Sequence, residues 1–155
     1  MPERKTLEHA ARDKREGKAP STQAGEFVKE EMDHIREGKH GARSTKQAIA
    51  IGLSKARRAG VKLRPPKAGT TSEDTRRKAA RDTAKGSHKA RKVSRKRSRA
   101  VEGALKREPH AAASKIALSR QAHAAARKRT ASDRSAAARK AARTRKRSAA
   151  KRKTS

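Results

Sequence analysis

The side chains that could carry catalytic or metal chemistry are few and scattered along this sequence. The six histidines form no HxxxH or HExxH pattern, the spacing that places two imidazoles on one helix face around a metal ion. Cysteine is absent, and there is no glycine-rich phosphate loop and no nucleophile elbow. We therefore expect no enzyme activity, no cofactor and no metal site. The histidines are His9, His34, His40, His88, His110 and His123.

Cationic side chains, by contrast, are abundant and clustered. The chain has 155 residues and carries 46 Lys and Arg against 15 Asp and Glu, a net charge of +31. Such a charge repels itself unless a polyanion is present, which predicts binding to the phosphates of a nucleic acid. The candidate nucleic-acid-binding residues are Lys46, Arg57, Arg58, Arg95, Lys96, Arg97, Arg127, Lys128, Arg129, Arg139, Lys140, Arg143, Arg145, Lys146, Arg147, Lys151, Arg152 and Lys153.

The composition favours DNA over RNA as the partner. Many RNA-binding and single-strand-binding modules stack bases on aromatic side chains, and this chain has one Phe and no Tyr or Trp. A membrane surface is the weaker candidate, because the residues opposite the cations are Ala rather than Leu or Trp. The sequence has no bilayer-spanning run and no apolar signal-peptide core. We expect a cytoplasmic, nucleoid-associated protein.

The local signals are helical throughout and predict an all-α fold with four regions. Residues 1–20 are an N-terminal helix and linker, residues 21–64 a helical hairpin, residues 65–72 a Pro/Gly linker and residues 73–155 a basic Ala-rich tail. Charge is divided unevenly at the linker, with a net +7 over residues 1–64 and a net +24 over residues 65–155. This difference indicates two regions with different roles.

The clearest helix covers residues 45–59. Ser44 and Gln47 form a capping box at its start, and Gly60 with Val61 predicts a Schellman ending. Its apolar stripe consists of Ile49, Gly52, Leu53 and Ala56. The opposite face holds Lys46, Gln47, Ala50, Ser54, Arg57 and Arg58. We interpret that face as solvent-exposed, and the alternative is a recognition helix that reads DNA bases.

Two further helices precede it. Residues 23–37 form an acidic helix, opened by Ser21 or Thr22 and closed by Gly38, and it should pack on the basic helix 45–59 as a hairpin. Its apolar face is Ala24, Val28, Met32 and Ile35, with Phe27 at the border. Residues 3–15 form a weakly amphipathic helix around Leu7, Ala10 and Ala11 that ends at Gly17. The hairpin core is small, which favours a homodimer through residues 21–64.

The tail has strong helix propensity but few large apolar residues. Helices are expected near 73–85, 88–107, 110–129 and 133–152, with Pro109 in a first turn and Ser132 as a cap. The repeat AAARK at 124–128 and 136–140 has an offset that spreads cations around the helix. We expect a partly disordered tail that gains order on nucleic acid and binds phosphates with little sequence preference.

The string EFVKEEMDHIREGKHGARSTKQAIAIGLSKARRAGVKL, residues 26–63, resembles a family of small basic bacterial proteins of uncharacterised function. Some members carry the label plasmid stabilization protein, and that resemblance implies a DNA-linked role in plasmid maintenance. The tail is similar in composition to linker-histone tails, although it lacks their Pro-Lys repeats.

Two other functions fit the same sequence. The first is an RNA-associated or ribosome-associated protein, because aromatic-poor basic helices also bind ribosomal RNA. The second is an antitoxin-like interaction module in which the acidic face of residues 23–37 binds a basic partner.

Overall fold

The computed structural model describes residues 2–86 and 94–153, and for residues 148 and 150–153 it describes the backbone only. The described part is all-α and contains no strand. In chain order the helices are α1 (Arg4–Arg15), α2 (Pro20–Arg36), α3 (Thr45–Arg58), α4 (Glu73–Gly86), α5 (Arg95–Lys106), a 3₁₀ turn (His110–Ala113), α6 (Lys115–Arg127) and α7 (Ala131–Lys153). No helix among the described residues is long and apolar enough to cross a bilayer.

The chain divides into two compact units, Met1–Ala117 and Leu118–Ser155. The first unit is therefore larger than the hairpin of residues 21–64, and it includes the predicted linker and the beginning of the predicted tail. Within it, α2 packs on α3, α1 packs on α2, α4 packs on α3, and the 3₁₀ turn packs on both α2 and α3. Elements of the same chain, namely α1, α4 and the 3₁₀ turn, contact the helices of this hairpin, and a homodimer through residues 21–64 stays a prediction.

Both ends of α3 are formed as predicted. Ser44 Oγ accepts a hydrogen bond from the Gln47 backbone N–H at 3.2 Å, and Gln47 Oε1 accepts one from the Arg43 N–H at 2.9 Å. At the other end Gly60 has φ +89°, and the Val61 N–H donates to the Ala56 carbonyl at 3.1 Å, which is the Schellman arrangement. Side-chain capping and one left-handed glycine fix these boundaries locally, so the sequence identifies them.

The start of α2 differs from the prediction. The helix begins at Pro20 with Ala19 as its N-cap and without a side-chain capping bond, so neither Ser21 nor Thr22 opens it. Proline at the first helical position has its φ already fixed near the helical value and lacks only an N–H that would find no intrahelical partner. The end of this helix at Gly38, with φ +74°, is as predicted.

The core lies between α1, α2 and α3 and consists mainly of alanine. Phe27 and Ile35 are its largest apolar side chains, and both are completely buried. Phe27 thus lies inside the core, not at the border of the apolar face. In α3 the buried stripe passes through Ala48, Gly52 and Ala56, whereas Ile49 and Leu53 are half-buried at its edge. In α1, Thr6, Ala10 and Asp13 are buried, whereas Leu7 and Ala11 are exposed.

Gly52 explains why the buried stripe follows small residues. A Cβ at this position would lie 2.7 Å from Val28 Cα, a distance that no real side chain tolerates against backbone. Glycine therefore allows α2 and α3 to approach closely. The contact that brings the helices together is made by small residues and backbone, which weakens the hydrophobic pattern in the sequence.

The segment after α5 returns to the hairpin. The Gly41 N–H donates to the Leu105 carbonyl at 2.9 Å, and the Ala42 N–H donates to the Pro109 carbonyl at 3.0 Å. Thr45 Oγ1 donates to the Ala112 carbonyl at 2.7 Å. Residues 105–113 are thus part of the first unit, although the sequence placed them in an unpacked tail. Their buried side chains are alanines, and the bonds that hold them are to backbone atoms.

Candidate nucleic-acid interface

Among the predicted binding residues, those of α5 form a dense exposed cluster. Arg95, Lys96 and Arg97 occupy the first turn of this helix, and each side chain is exposed. No ion pair involves any of the three within the described part of the chain. At about 100° per residue these cations point in different directions around the helix, so the cluster presents charge rather than a single reading face. The predicted helix 88–107 begins within residues 87–93, which lie outside the described residues.

The turn between α6 and α7 presents the next cluster. Arg127 ends α6 and is followed by Lys128 and Arg129, and all three are exposed. Thr130 then caps α7, since its Oγ1 accepts the Asp133 N–H at 3.1 Å and donates to Asp133 Oδ2 at 2.8 Å. The cap is therefore Thr130, not Ser132. The one carboxylate of residues 118–155 is engaged at a helix N-terminus, where negative charge is favourable.

Helix α7 carries the largest set of uncompensated cations. Its described side chains are all exposed, and none of its Lys or Arg residues forms an ion pair with a described acid. The predicted binding residues seen here are Arg139, Lys140, Arg143, Arg145, Lys146 and Arg147. For Lys151, Arg152 and Lys153 the helix backbone is described and the side chains lie outside the described set. The helix has no apolar stripe, so all of its sides are available for phosphate contact.

Part of the predicted face of α3 is not a free surface. Lys46 is exposed, but Arg57 is 7% exposed and its Nε has no hydrogen-bond partner among the described residues. Burial lowers the pKa of the Arg57 guanidinium, and the nearby Asp82 carboxylate opposes that shift. Arg58 Nε lies 2.8 Å from Asp82 Oδ1, and Ser54 Oγ donates to Asp82 Oδ2 at 2.6 Å.

Helix α4 thus covers the part of this face around Ser54 and Arg57, whereas Lys46, Ala50 and Arg58 remain exposed. Arg57 is buried inside the unit, so it is neither solvent-exposed nor placed to contact DNA bases. Arg58 is already bound to a carboxylate. The sequence missed this packing because Ala79 and Asp82, the buried residues of α4, lie in a segment that reads as polar.

Most acidic side chains of the chain form ion pairs within the fold. Of the 15 Asp and Glu, 13 lie within 4.0 Å of a Lys, Arg or His nitrogen. Hydrogen bonds from Lys78 and Lys106 hold the pKa values of Asp74 and Glu102 below their usual range. Because these 13 acids each have a basic partner within the fold, the excess positive charge remains on side chains that have no acidic partner.

The structure also brings together residues that the sequence treated as scattered. The rings of His34 and His40 are 6.1 Å apart between centroids and nearly perpendicular, and both lie beside the buried carboxylate of Glu31. The spacing Glu31-x-x-His34 on one helix was a signal available in the sequence, because residues three apart share a helix face.

Comparison with known proteins finds a family-model match over part of the chain and indicates no function. No curated protein matches the chain, and no solved structure matches it. Over residues 4–68, the segment that contains α1, α2 and α3, the chain matches the model of DUF6496, a family of unknown function, in agreement with the uncharacterised family that residues 26–63 resemble.

Proposed function

We propose that this chain is a non-enzymatic DNA-binding protein that contacts the phosphate backbone with little sequence preference. The observation that carries the proposal is the separation of charge: most acids are paired with a base, whereas Arg95, Lys96 and Arg97 of α5 and the described cations of α7 are exposed without an acidic partner. Releasing the counterions condensed on DNA would supply the driving force for such contacts.

The first unit acts as the anchor in this proposal. Its helices are held by a buried core and by ion pairs between α2 and α3, and its recognition-like residues Arg57 and Arg58 are occupied by internal contacts. Base-specific reading from α3 is therefore disfavoured. The exposed cations of α5, of the α6–α7 turn and of α7 would make the phosphate contacts, and a DNA-bound protein of this kind would be associated with the nucleoid.

A role in plasmid maintenance would be one use of such binding. It is suggested by the label that some similar proteins carry, and sequence-independent coating of DNA is compatible with it. The proposal excludes base stacking as a main source of affinity, because the chain has no Trp or Tyr and its one Phe is completely buried.

The test is a comparison of ligands by fluorescence anisotropy at one salt concentration. Full-length protein is titrated into two unrelated DNA duplexes and one structured RNA of equal length. We expect the two duplexes to bind equally within a few-fold and the RNA to bind no more tightly than either. Preference for the RNA by about tenfold or more would instead support the ribosome-associated alternative, and a protein partner that co-purifies after nuclease treatment would support the interaction module.

A further inference from the structure

A compact polar cluster lies where α2 ends and the chain turns towards α3. Glu31 and His34 are three residues apart on α2 and share one face, and Gly38, with φ +74°, turns the chain so that His40 reaches the same place. One ligand atom from each of Glu31, His34 and His40 lies within 4.8 Å of the other two. Glu31 is completely buried, and the His34 and His40 side chains are each 14% exposed.

The contact between Glu31 and His40 depends on which nitrogens of the His40 ring carry a proton. His40 Nδ1 lies 3.1 Å from the Gly41 carbonyl oxygen, and since a carbonyl can only accept, Nδ1 carries the proton there. In the neutral ring, Nε2 then holds a lone pair, and it faces Glu31 Oε1 at 3.3 Å. Two acceptors face each other, and Glu31 Oε1 has no hydrogen-bond partner among the described residues. A cation between them would satisfy both.

The charged neighbours of the trio contact Glu31 Oε2 and His34 Nε2, not the Glu31 Oε1 and His40 Nε2 that face each other. Lys55 Nζ lies 2.6 Å from Glu31 Oε2, the other carboxylate oxygen, and 3.5 Å from Glu30 Oε1. Lysine therefore neutralises the cluster from α3 without occupying the side that faces His40. His34 Nε2 lies 2.7 Å from Glu3 Oε1. His40 thus has one nitrogen held by an oxygen outside the trio while the other faces Glu31, the support that metal-binding histidines usually have.

We propose that Glu31, His34 and His40 bind one divalent transition-metal ion of the Zn²⁺ class. Two imidazole nitrogens and one carboxylate oxygen are ligands that Zn²⁺ accepts at about 2.0–2.2 Å, and a water molecule would complete a tetrahedron. Ligand atoms of such a site are about 3.3 Å apart, so closing the trio from within 4.8 Å needs a shift of roughly 1.5 Å, within reach of side-chain rotation.

The site would be structural. His40 lies in the loop whose next residues, Gly41 and Ala42, donate hydrogen bonds to the Leu105 and Pro109 carbonyls. A metal ion that joins this loop to α2 would stabilise the loop residues to which residues 105–113 are hydrogen-bonded. The net charge of +31 opposes binding of metal cations elsewhere on the chain, so a site that binds Zn²⁺ must supply specific ligands.

Calorimetric titration of nucleic-acid-free, full-length protein with Zn²⁺ tests the proposal. We expect one ion per chain, and at least about tenfold weaker binding in the double variant H34Q/H40Q, which keeps polar side chains at both positions. The control is H9Q/H123Q, which removes two histidines outside the trio and should bind as the native chain does. Absence of stoichiometric binding, or equal losses in the two variants, would overturn the proposal.

A second measurement is independent of whether the variants fold. In a long-range ¹H–¹⁵N spectrum of the native protein, stoichiometric Zn²⁺ should shift the ring nitrogens of His34 and His40 and leave those of His9 and His123 in place. Shifts spread over all the histidines would show surface binding only and would contradict the assignment.

Discussion

Arg58 Nε lies 2.8 Å from Asp82 Oδ1, so the last turn of α3 is bound to a helix that follows the Pro/Gly segment of residues 65–72. Asp82 also accepts the Ser54 hydroxyl at 2.6 Å, and its side chain is 12% exposed. One carboxylate therefore joins α4 to α3 by two hydrogen bonds. This contact extends the compact unit beyond the hairpin.

We predict that Asp82→Asn lowers the free energy of unfolding by about 1–3 kcal/mol, because it removes the charge from a mostly buried, doubly hydrogen-bonded acceptor. Urea unfolding of the full chain, followed by circular dichroism, measures the loss. Asp74→Asn on the same helix is the control: Asp74 pairs with Lys78 on an exposed surface and should matter much less. Equal midpoints for the two variants would show that α4 does not pack on α3 in solution.

Lys55→Met should have the largest effect on stability. Glu31 is completely buried and Lys55 Nζ is 2.6 Å from it, so the variant leaves a buried carboxylate without its cation. The expected loss is about 3–5 kcal/mol in the free energy of unfolding. Lys46→Met, on the exposed part of the same helix, should unfold with an unchanged midpoint. A Lys55→Met protein as stable as the native chain would contradict the ion pair between α2 and α3.

Two glycines in adjacent helices should respond with opposite signs to the same substitution. Gly52→Ala forces a Cβ to 2.7 Å from Val28 Cα and should cost about 1–3 kcal/mol. Gly25→Ala meets nothing within 4 Å on an exposed part of α2 and should stabilise by about 0.5–1 kcal/mol. Thermal melting of both variants measures the difference. Stabilisation by both would mean that the helices are farther apart than described.

The helicity of α7 should depend on charge neutralisation. Its described side chains are all exposed, so no packing stabilises this helix. The helix propensity of Ala and Arg favours it, and repulsion between its cations opposes it. We expect the helical circular-dichroism signal of the full chain to increase on adding duplex DNA at moderate salt. A spectrum that is already maximally helical and unchanged by DNA would refute this expectation.

The sequence predicted those features that depend on local chemistry. Ser44, Gln47 and Gly60 fix the ends of α3 through their own hydrogen bonds and backbone conformation, and the structure confirms them. The burial of Arg57 could not be predicted, because it depends on α4, whose approach is set by Asp82 and Ala79. The same holds for Ala112, which is buried through backbone contacts that an alanine-rich pattern does not reveal.

For the candidate interface, the sequence identified exposed cations well where no acid is near in the chain. Arg95 and Arg145 are exposed as expected. Arg58 is exposed as well, but its ion pair with Asp82 was not predicted because the partner is 24 residues away. The cluster of His34 and His40 was missed for a similar reason, since the turn at Gly38 brings them together and no spacing rule describes that turn.

The salt dependence of DNA binding tests the central claim most directly, namely that uncompensated cations neutralise phosphates. If about 6–10 phosphates are neutralised, affinity should fall roughly 10³–10⁵-fold between about 50 and 200 mM salt. The test compares two variants, in each of which three Lys or Arg residues are replaced by Gln, so that each variant loses three positive charges. One changes Arg145, Lys146 and Arg147 on α7, and the other changes Arg4, Lys78 and Lys106, which are paired with acids on their own helices.

We predict that the α7 variant reduces the slope of log affinity against log salt by about three, because each lost phosphate contact lowers it by about one. The paired-cation variant should keep nearly the native slope. Equal slopes for both variants would show that only total charge matters, and a shallow slope for the native protein would contradict phosphate neutralisation as the basis of binding.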